Sequence, residues 1–131
     1  MKVALVTGGG TGIGRAAALE LNKIDYVVYV VGRREEELNK TSSLAENKNF
    51  KIIPVKTDIT NGNEVIDLFN KIKNDHGRID LLFNNAGMGA PRVPIEELKE
   101  EDWRKTVDVN LTGSFLCSQQ AIKLMKTQSP Q

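Results

Sequence analysis

The chain has 131 residues, 40% hydrophobic and 27% charged, a composition of folded globular domains that excludes the disordered and fibrous classes. Lys and Arg number 18 against 17 Asp and Glu, so a net charge of +1 offers no basic field for nucleic acid or an anionic membrane surface. The one cysteine, Cys117, has no internal partner for a disulfide, and a chain of this size buries roughly two-thirds of its unfolded surface, enough for a core without staples. Only Val3 to Val6 form an apolar run near the start, too short for a signal core or a membrane span. The expectation is one cytoplasmic domain over residues 1–131, with no metal site and no nucleic-acid or membrane partner.

Four short apolar runs are predicted strands: Val3 to Thr7, Tyr26 to Val31, Ile52 to Thr57 and Ile79 to Asn84. Their apolar residues are consecutive, as in a parallel sheet with helices on both faces. After the first run, Ile13, Ala17, Leu21 and Ile24 recur at helical spacing and predict a buried stripe. A weaker stripe follows Arg34, through Leu38, Ser42 and Ala45, and a third comprises Val65, Leu68, Phe69 and Ile72, opened by the capping pair Asn61 and Glu64. This alternation predicts an α/β fold, a Rossmann-type doubly wound parallel sheet of strand order 3-2-1-4. His76 reads as a surface residue in the link to the fourth strand, and Asn84 as a tie between strands.

Beyond Asn84 the spacing changes. Met88 to Pro94 is a Gly- and Pro-containing loop, and a long helix begins near Trp103. Trp103, Val107, Leu111, Phe115, Ile122 and Met125 keep helical phase to its end, which assigns Trp103 to packing. Lys126 to Gln131 form a polar tail of the kind that leads into another strand, so the sheet is expected to be truncated before a fifth strand.

The chemistry is concentrated where the first strand meets the first helix, in Thr7-Gly8-Gly9-Gly10-Thr11-Gly12-Ile13-Gly14. Glycines there permit positive φ and let backbone N–H groups approach a pyrophosphate at the positive end of a helix dipole. The spacing is G-x-x-x-G-x-G preceded by Thr, more selective than a lone glycine-rich turn. A kinase-like phosphate loop is excluded because no Lys-Ser/Thr follows the glycines.

With Asp58 after the third strand, Asn84-Asn85-Ala86-Gly87 after the fourth and Asn110 in the long helix, the glycine turn makes the sequence similar to the short-chain dehydrogenase/reductase family along its whole length. The resemblance implies an oxidoreductase that moves a hydride between a nicotinamide cofactor and an alcohol or carbonyl substrate. It implies cofactor contacts from Thr7, Gly8, Thr11, Gly12, Ile13 and Gly14, and from Asp58 to adenine with Ile59 contributing its backbone. Asn85, Ala86 and Gly87 would line the adenosine ribose. The lesser alternative for Asp58 is a helix cap. Asn110 is the family's catalytic position for a water in the proton relay; as a polar helix residue it has the alternative of bonding backbone. Packing of the long helix, 103–126, against a second copy is expected of the complete enzyme as a homo-oligomer.

The sequence lacks the basic residue frequent in the family before the second motif glycine, where Thr11 stands, and its main departure concerns catalysis. The family's catalytic Ser and Tyr-x-x-x-Lys are not among these residues. Neither Tyr26 nor Tyr29 has Lys four residues on, and a pair that lowers a phenol pKa for proton exchange needs that helical proximity. Hence the chain reads as the cofactor-binding half of an oxidoreductase, inactive alone. A non-catalytic NADP(H)- or adenine-nucleotide-binding assembly module is the alternative.

Cofactor choice is read from the end of the second strand. NAD-specific sites place an acidic residue there, about twenty residues after the glycine turn, against the ribose 2′-OH. Gly32 stands at that place and Arg33 follows, which removes the repulsion of a 2′-phosphate and supplies a bidentate partner. NADP(H) is therefore favoured over NAD(H), although Arg33 and Arg34 also read as solvated loop charges and Glu35 to Glu37 lie close behind.

Overall fold

Val-rich segments that cannot satisfy both hydrophobic faces in a two-sided surface sheet form instead the interior of a layered α/β domain. The computed structural model describes residues Met1–Gln131. Strands β1 (Lys2–Thr7), β2 (Tyr26–Gly32), β3 (Ile52–Lys56) and β4 (Leu81–Phe83) pair in parallel in the order β3-β2-β1-β4. Helices α1 (Gly12–Lys23), α2 (Glu35–Ser43) and α3 (Gly62–His76) form the crossovers. A 3₁₀ turn at Ile95–Glu97 precedes α4 (Glu100–Val107), a π segment at Asp108–Thr112 and α5 (Gly113–Met125).

The pleat divides the core in two. Val3, Leu5, Tyr29 and Val31 face Val65, Leu68, Phe69 and Ile72 of α3 and Cys117, Ala121 and Leu124 of α5. Their neighbours Ala4, Val6, Val28 and Val30 face Ala18 of α1 and Leu38 of α2. The alternation of side chains along each strand therefore feeds both layers. The α3 stripe is as its spacing predicts, and Asn61 caps that helix by accepting from the N–H groups of Asn63 and Glu64 at 3.1 and 3.2 Å. Glu64 reaches back one turn further than a capping box requires, to the N–H of Asp58 at 3.2 Å.

Four expectations are corrected. In α1 the buried residues are Gly14, Ala18 and Asn22, while Ile13 and Ile24 are 75% and 66% exposed. A Cβ at Gly14 would collide with the carbonyl oxygen of Gly8, so this glycine must face the loop, and that contact fixes the rotation of the helix. Asn22 is buried because its amide serves the α2–β3 connection: it donates to the carbonyls of Phe50 and Asn47 and accepts from the Asn47 N–H at 3.1 Å.

The long helix is rotated too. Gly113, Cys117, Ala121 and Leu124 are buried, whereas Trp103, Leu111, Phe115 and Ile122 lie 53–67% exposed. A side chain on Gly113 would meet Ile59 at 2.6 Å, so close approach selects the face of small residues and turns the large ones outward. The π segment inserts an extra residue between α4 and α5 and breaks the single helical phase read from Trp103.

Strand β4 is shorter than expected. Only Leu81–Phe83 pair with Ala4–Val6, because the N–H and C=O of Ile79 are both taken by the side-chain amide of buried Gln128, at 2.8 and 2.9 Å. His76 is not an ordinary surface residue: its Nδ1 lies 2.8 Å from the hydroxyl of fully buried Tyr29, whose ring it meets edge-on.

Replacing Asn22 by Leu keeps the number of side-chain heavy atoms but strands part-buried backbone groups of Asn47 and Phe50, at an expected cost of about 2–4 kcal/mol. Urea unfolding should show a lower midpoint at unchanged slope. A second expectation concerns acid. The Arg78 guanidinium, together with the N–H of Val3, holds the Asp80 carboxyl below the usual carboxylate range. A depressed folded pKa stabilises the fold above the unfolded carboxylate pKa, and that contribution is lost as pH falls toward the folded value. Asp80→Asn should therefore be less stable than the unmodified chain at neutral pH, and the gap should narrow in titrations below about pH 4.

Candidate functional site

The site lies at the carboxyl ends of the strands, where the order reverses between β1 and β4. Gly8 takes φ +64 and Gly12 φ +54, conformations that carry the chain from β1 into α1. Thr11 stands at the helix start with extended backbone and no side-chain cap bond, and the first turn holds no acidic residue. The leading N–H groups of α1 thus have no side-chain acceptor.

Thr7 and Asn85 build the crevice. The Thr7 hydroxyl accepts from the N–H groups of Asn85 and Ala86 at 3.0 and 2.9 Å. Asn85 returns its amide to the carbonyls of Thr7 and Gly8 at 3.1 and 3.2 Å. These bonds close the gap between β1 and the segment after β4. The tie expected of Asn84 therefore belongs to Asn85, while exposed Asn84 donates to Ser118 at 3.0 Å. A Cβ on Gly8 would stand 3.0 Å from Ala86 Cα, and one on Gly87 2.7 Å from Asn110 Oδ1, so small residues are required on both sides of the contact.

A cavity of about 460 Å³ opens between these elements. Gly8, Thr11, Arg33, Asp58, Ile59, Ala86 and Gly87 line it as the sequence places them. Thr7, Gly12, Ile13, Gly14, Asn85 and Asn110 do not. Thr7, Gly14 and Asn85 shape the loop behind the wall, Gly12 supplies the turn, and Ile13 projects outward at the head of α1. Sequence reasoning missed Leu38, Thr57, Thr60 and Val109 as further lining residues, while Met88, in the loop expected to border one wall, lines the cavity too. Val109 adjoins the quoted Asn110, which is the only signal that pointed to it.

Electrostatics divide the cavity wall. The Asp58 carboxylate accepts from the hydroxyl and N–H of Thr60 at 2.7 and 3.0 Å. The Thr60 hydroxyl, and the Arg33 charge to a lesser degree, hold it below the usual carboxylate range. It does not cap α3, which Asn61 does. Arg33 and Arg34 border the cavity and belong to none of the ion pairs of the molecule.

Asn110, on the π segment, is committed to backbone: Oδ1 accepts from the Met88 N–H at 3.3 Å, and Nδ2 donates to the carbonyls of Met88 and Thr106 at 2.8 and 2.9 Å. It pins the loop that follows Gly87. The tyrosines lie elsewhere: Tyr29 donates to Asp75 at 2.9 Å across the β2–α3 packing, and burial pushes its phenol pKa up rather than down.

Comparison with known proteins agrees with this architecture. The family model for short chain dehydrogenase matches residues 2–130. The chain is 37% identical to a 3beta-hydroxysteroid dehydrogenase of Mediterraneibacter gnavus over 125 residues, 95% of this chain and 45% of that protein. It is 33% identical to dehydrogenase/reductase SDR family member 11 of Gallus gallus, covering 98% of this chain and 51% of that one. Among solved structures, NAD+-bound xylitol dehydrogenase superposes with a TM-score of 0.92 at 31% identity, over 97% of this chain and 49% of the other. A metagenomic short-chain oxidoreductase in complex with NADP gives 0.90 at 27%, over 95% and 56%. The chain spans about half the length of these relatives. With its sheet order, glycine turn and matched residues, it belongs to the short-chain dehydrogenase family.

Proposed function

We propose that the chain is the cofactor-binding portion of an NADP(H)-dependent oxidoreductase acting on an alcohol or carbonyl substrate. The observation that carries this reading is the cavity at the switch point, with Gly32 where a carboxylate would exclude a 2′-phosphate and Arg33 free of any ion pair beside it. The residues fit such a cofactor. The N–H groups of Thr11 to Gly14 would hold the pyrophosphate, Arg33 the 2′-phosphate, Asp58 and Ile59 the adenine, and Ala86 and Gly87 the adenosine ribose. When bound, the nicotinamide would give a hydride to a carbonyl substrate or accept one from an alcohol.

The chain's own part is binding and orientation. No tyrosine lines the cavity, and Asn110 spends its amide on the Met88 loop. The 131-residue chain by itself is therefore assigned no hydride-transfer activity. In this reading the complete enzyme is cytoplasmic and a homo-oligomer, the latter supported by exposed Leu111, Phe115 and Ile122 on the π segment and α5 and by exposed Trp103 on α4. No helix is long and apolar enough to cross a membrane.

Calorimetry tests the cofactor assignment. Gly32→Asp should penalise NADP(H) and favour NAD(H), and Arg33→Ala should weaken NADP(H) binding by about 1–3 kcal/mol. Equal affinity of the unmodified chain for both cofactors would sink the assignment. The second expectation is kinetic: with a panel of carbonyl compounds, NADPH oxidation by the 131-residue chain stays at the level of a Gly12→Asp control. Oxidation clearly above that control shows a proton donor within these residues.

A further inference from the structure

The wall that carries Arg33 also contains a carboxylate, and its neighbours account for how the two coexist. Glu37, in the first turn of α2, lines the cavity together with Arg33 and Arg34. Its stem lies against the glycine turn, 3.1 Å from where a Cβ on Gly10 would stand. Left free, such a group would repel a dianionic 2′-phosphate and would accept from an unphosphorylated ribose hydroxyl, as the strand-end carboxylate does in NAD sites.

Glu37 is not free. Arg15, the residue after Gly14 in α1, donates from Nη2 to its carboxylate at 3.0 Å and to its backbone carbonyl at 3.2 Å. Arg15 Nε donates to Thr41 at 3.0 Å, and fully buried Thr41 donates in turn to the carbonyl of Gly9 at 2.8 Å. The Arg15 and Glu37 side chains are 19% and 32% exposed, so the pair is shielded more than the other helix-surface pairs of the chain. One network thus joins the glycine turn, α1 and α2 and leaves Arg33 and Arg34 as the unpaired positive charges on the rim, with Asp58 a carboxylate there that also joins no ion pair.

We propose that Arg15 and Glu37 form a specificity-determining pair, in which Arg15 neutralises and holds back a carboxylate that would otherwise select against a 2′-phosphate. Arg15 is a positioning residue and acts through Glu37. The pair sets how strongly the site discriminates between a phosphorylated and a plain adenosine ribose, and this rests on reading the cavity as an NADP(H) site.

The test is calorimetric titration of the full chain with 2′,5′-ADP and with 5′-AMP, which differ only in the 2′-phosphate, reading the ratio of the two affinities. Arg15→Met should lower the ratio by about tenfold or more, since a unit charge is left uncompensated beside the phosphate. Glu37→Gln in the Arg15→Met background should restore it, an outcome that a merely structural role for Arg15 does not produce. Should Arg15→Met fail to fold, Glu37→Gln alone decides: it removes a negative charge and releases Arg15, and the ratio should rise by about threefold or more. An unchanged ratio in either single variant, or a double variant as poor as Arg15→Met, overturns the pair. Arg33→Ala separates the two readings. If it abolishes the preference while the Arg15 and Glu37 variants do not alter it, the NADP(H) site stands and the pair falls; a ratio of about one in the unmodified chain removes the NADP(H) site itself.

Discussion

The close approach of Gly14 to the carbonyl of Gly8 is the contact on which the rest of the site depends. No other residue type fits at Gly14, so the first turn of α1 is pressed onto the loop that leaves β1. The Asn85 amide bonds to that same Gly8 carbonyl, and the hydroxyl of Thr7 receives the backbone of Asn85 and Ala86. Helix α1, the glycine turn and the segment after β4 are thereby locked together at the point where the sheet changes direction. The side of α1 that faces inward follows from this, and so does the direction of Arg15, one residue on, toward α2.

Close approach also explains why apolar content is a poor guide to burial in this chain. Gly14 and Ala18 in α1 and Gly113, Cys117 and Ala121 in α5 are buried in preference to Ile13, Ile24, Leu111 and Phe115. A small residue at the contact lets two backbones approach and lets the strand side chains fill the remaining space at native density. Larger stripes on the same helices would bury more area per residue but would move the helices away from the sheet, and with them the loop geometry around Gly8 and Ile59.

Strands and topology were legible because a parallel sheet covered on both faces writes itself as unbroken Val and Ile runs, and the crossover rule leaves few ways to connect them. The α3 stripe was legible for a similar reason, with large apolar residues and a true cap at Asn61. What the sequence hid was the rotation of α1 and of the last helix, because hydropathy spacing does not register a steric requirement for glycine, alanine or cysteine. The π segment hid the rest, since one added residue turns a continuous stripe into two faces. At the site, Gly8, Asp58 and Arg33 were legible from motif and position. The division between residues that line the cavity and those that brace it was not, because Thr7, Asn85 and Asn110 make their contacts with backbone far away in sequence.

Backbone satisfaction, more than charge pairing, organises the remaining polar residues. Asn22, Asn85, Asn110 and Gln128 each present an amide to main-chain groups outside regular structure, at Phe50, Gly8, Met88 and Ile79 respectively. An amide is suited to this because it donates and accepts without the desolvation cost of a charge. Each sits where a connection leaves or enters the sheet, and no buried side-chain nitrogen or oxygen is left without a partner. At the cavity mouth the Arg15–Glu37 pair braces the glycine turn against α2 while neutral amides hold the segment after β4, so Arg33 and Arg34, which join no ion pair, are not needed to keep the wall in place.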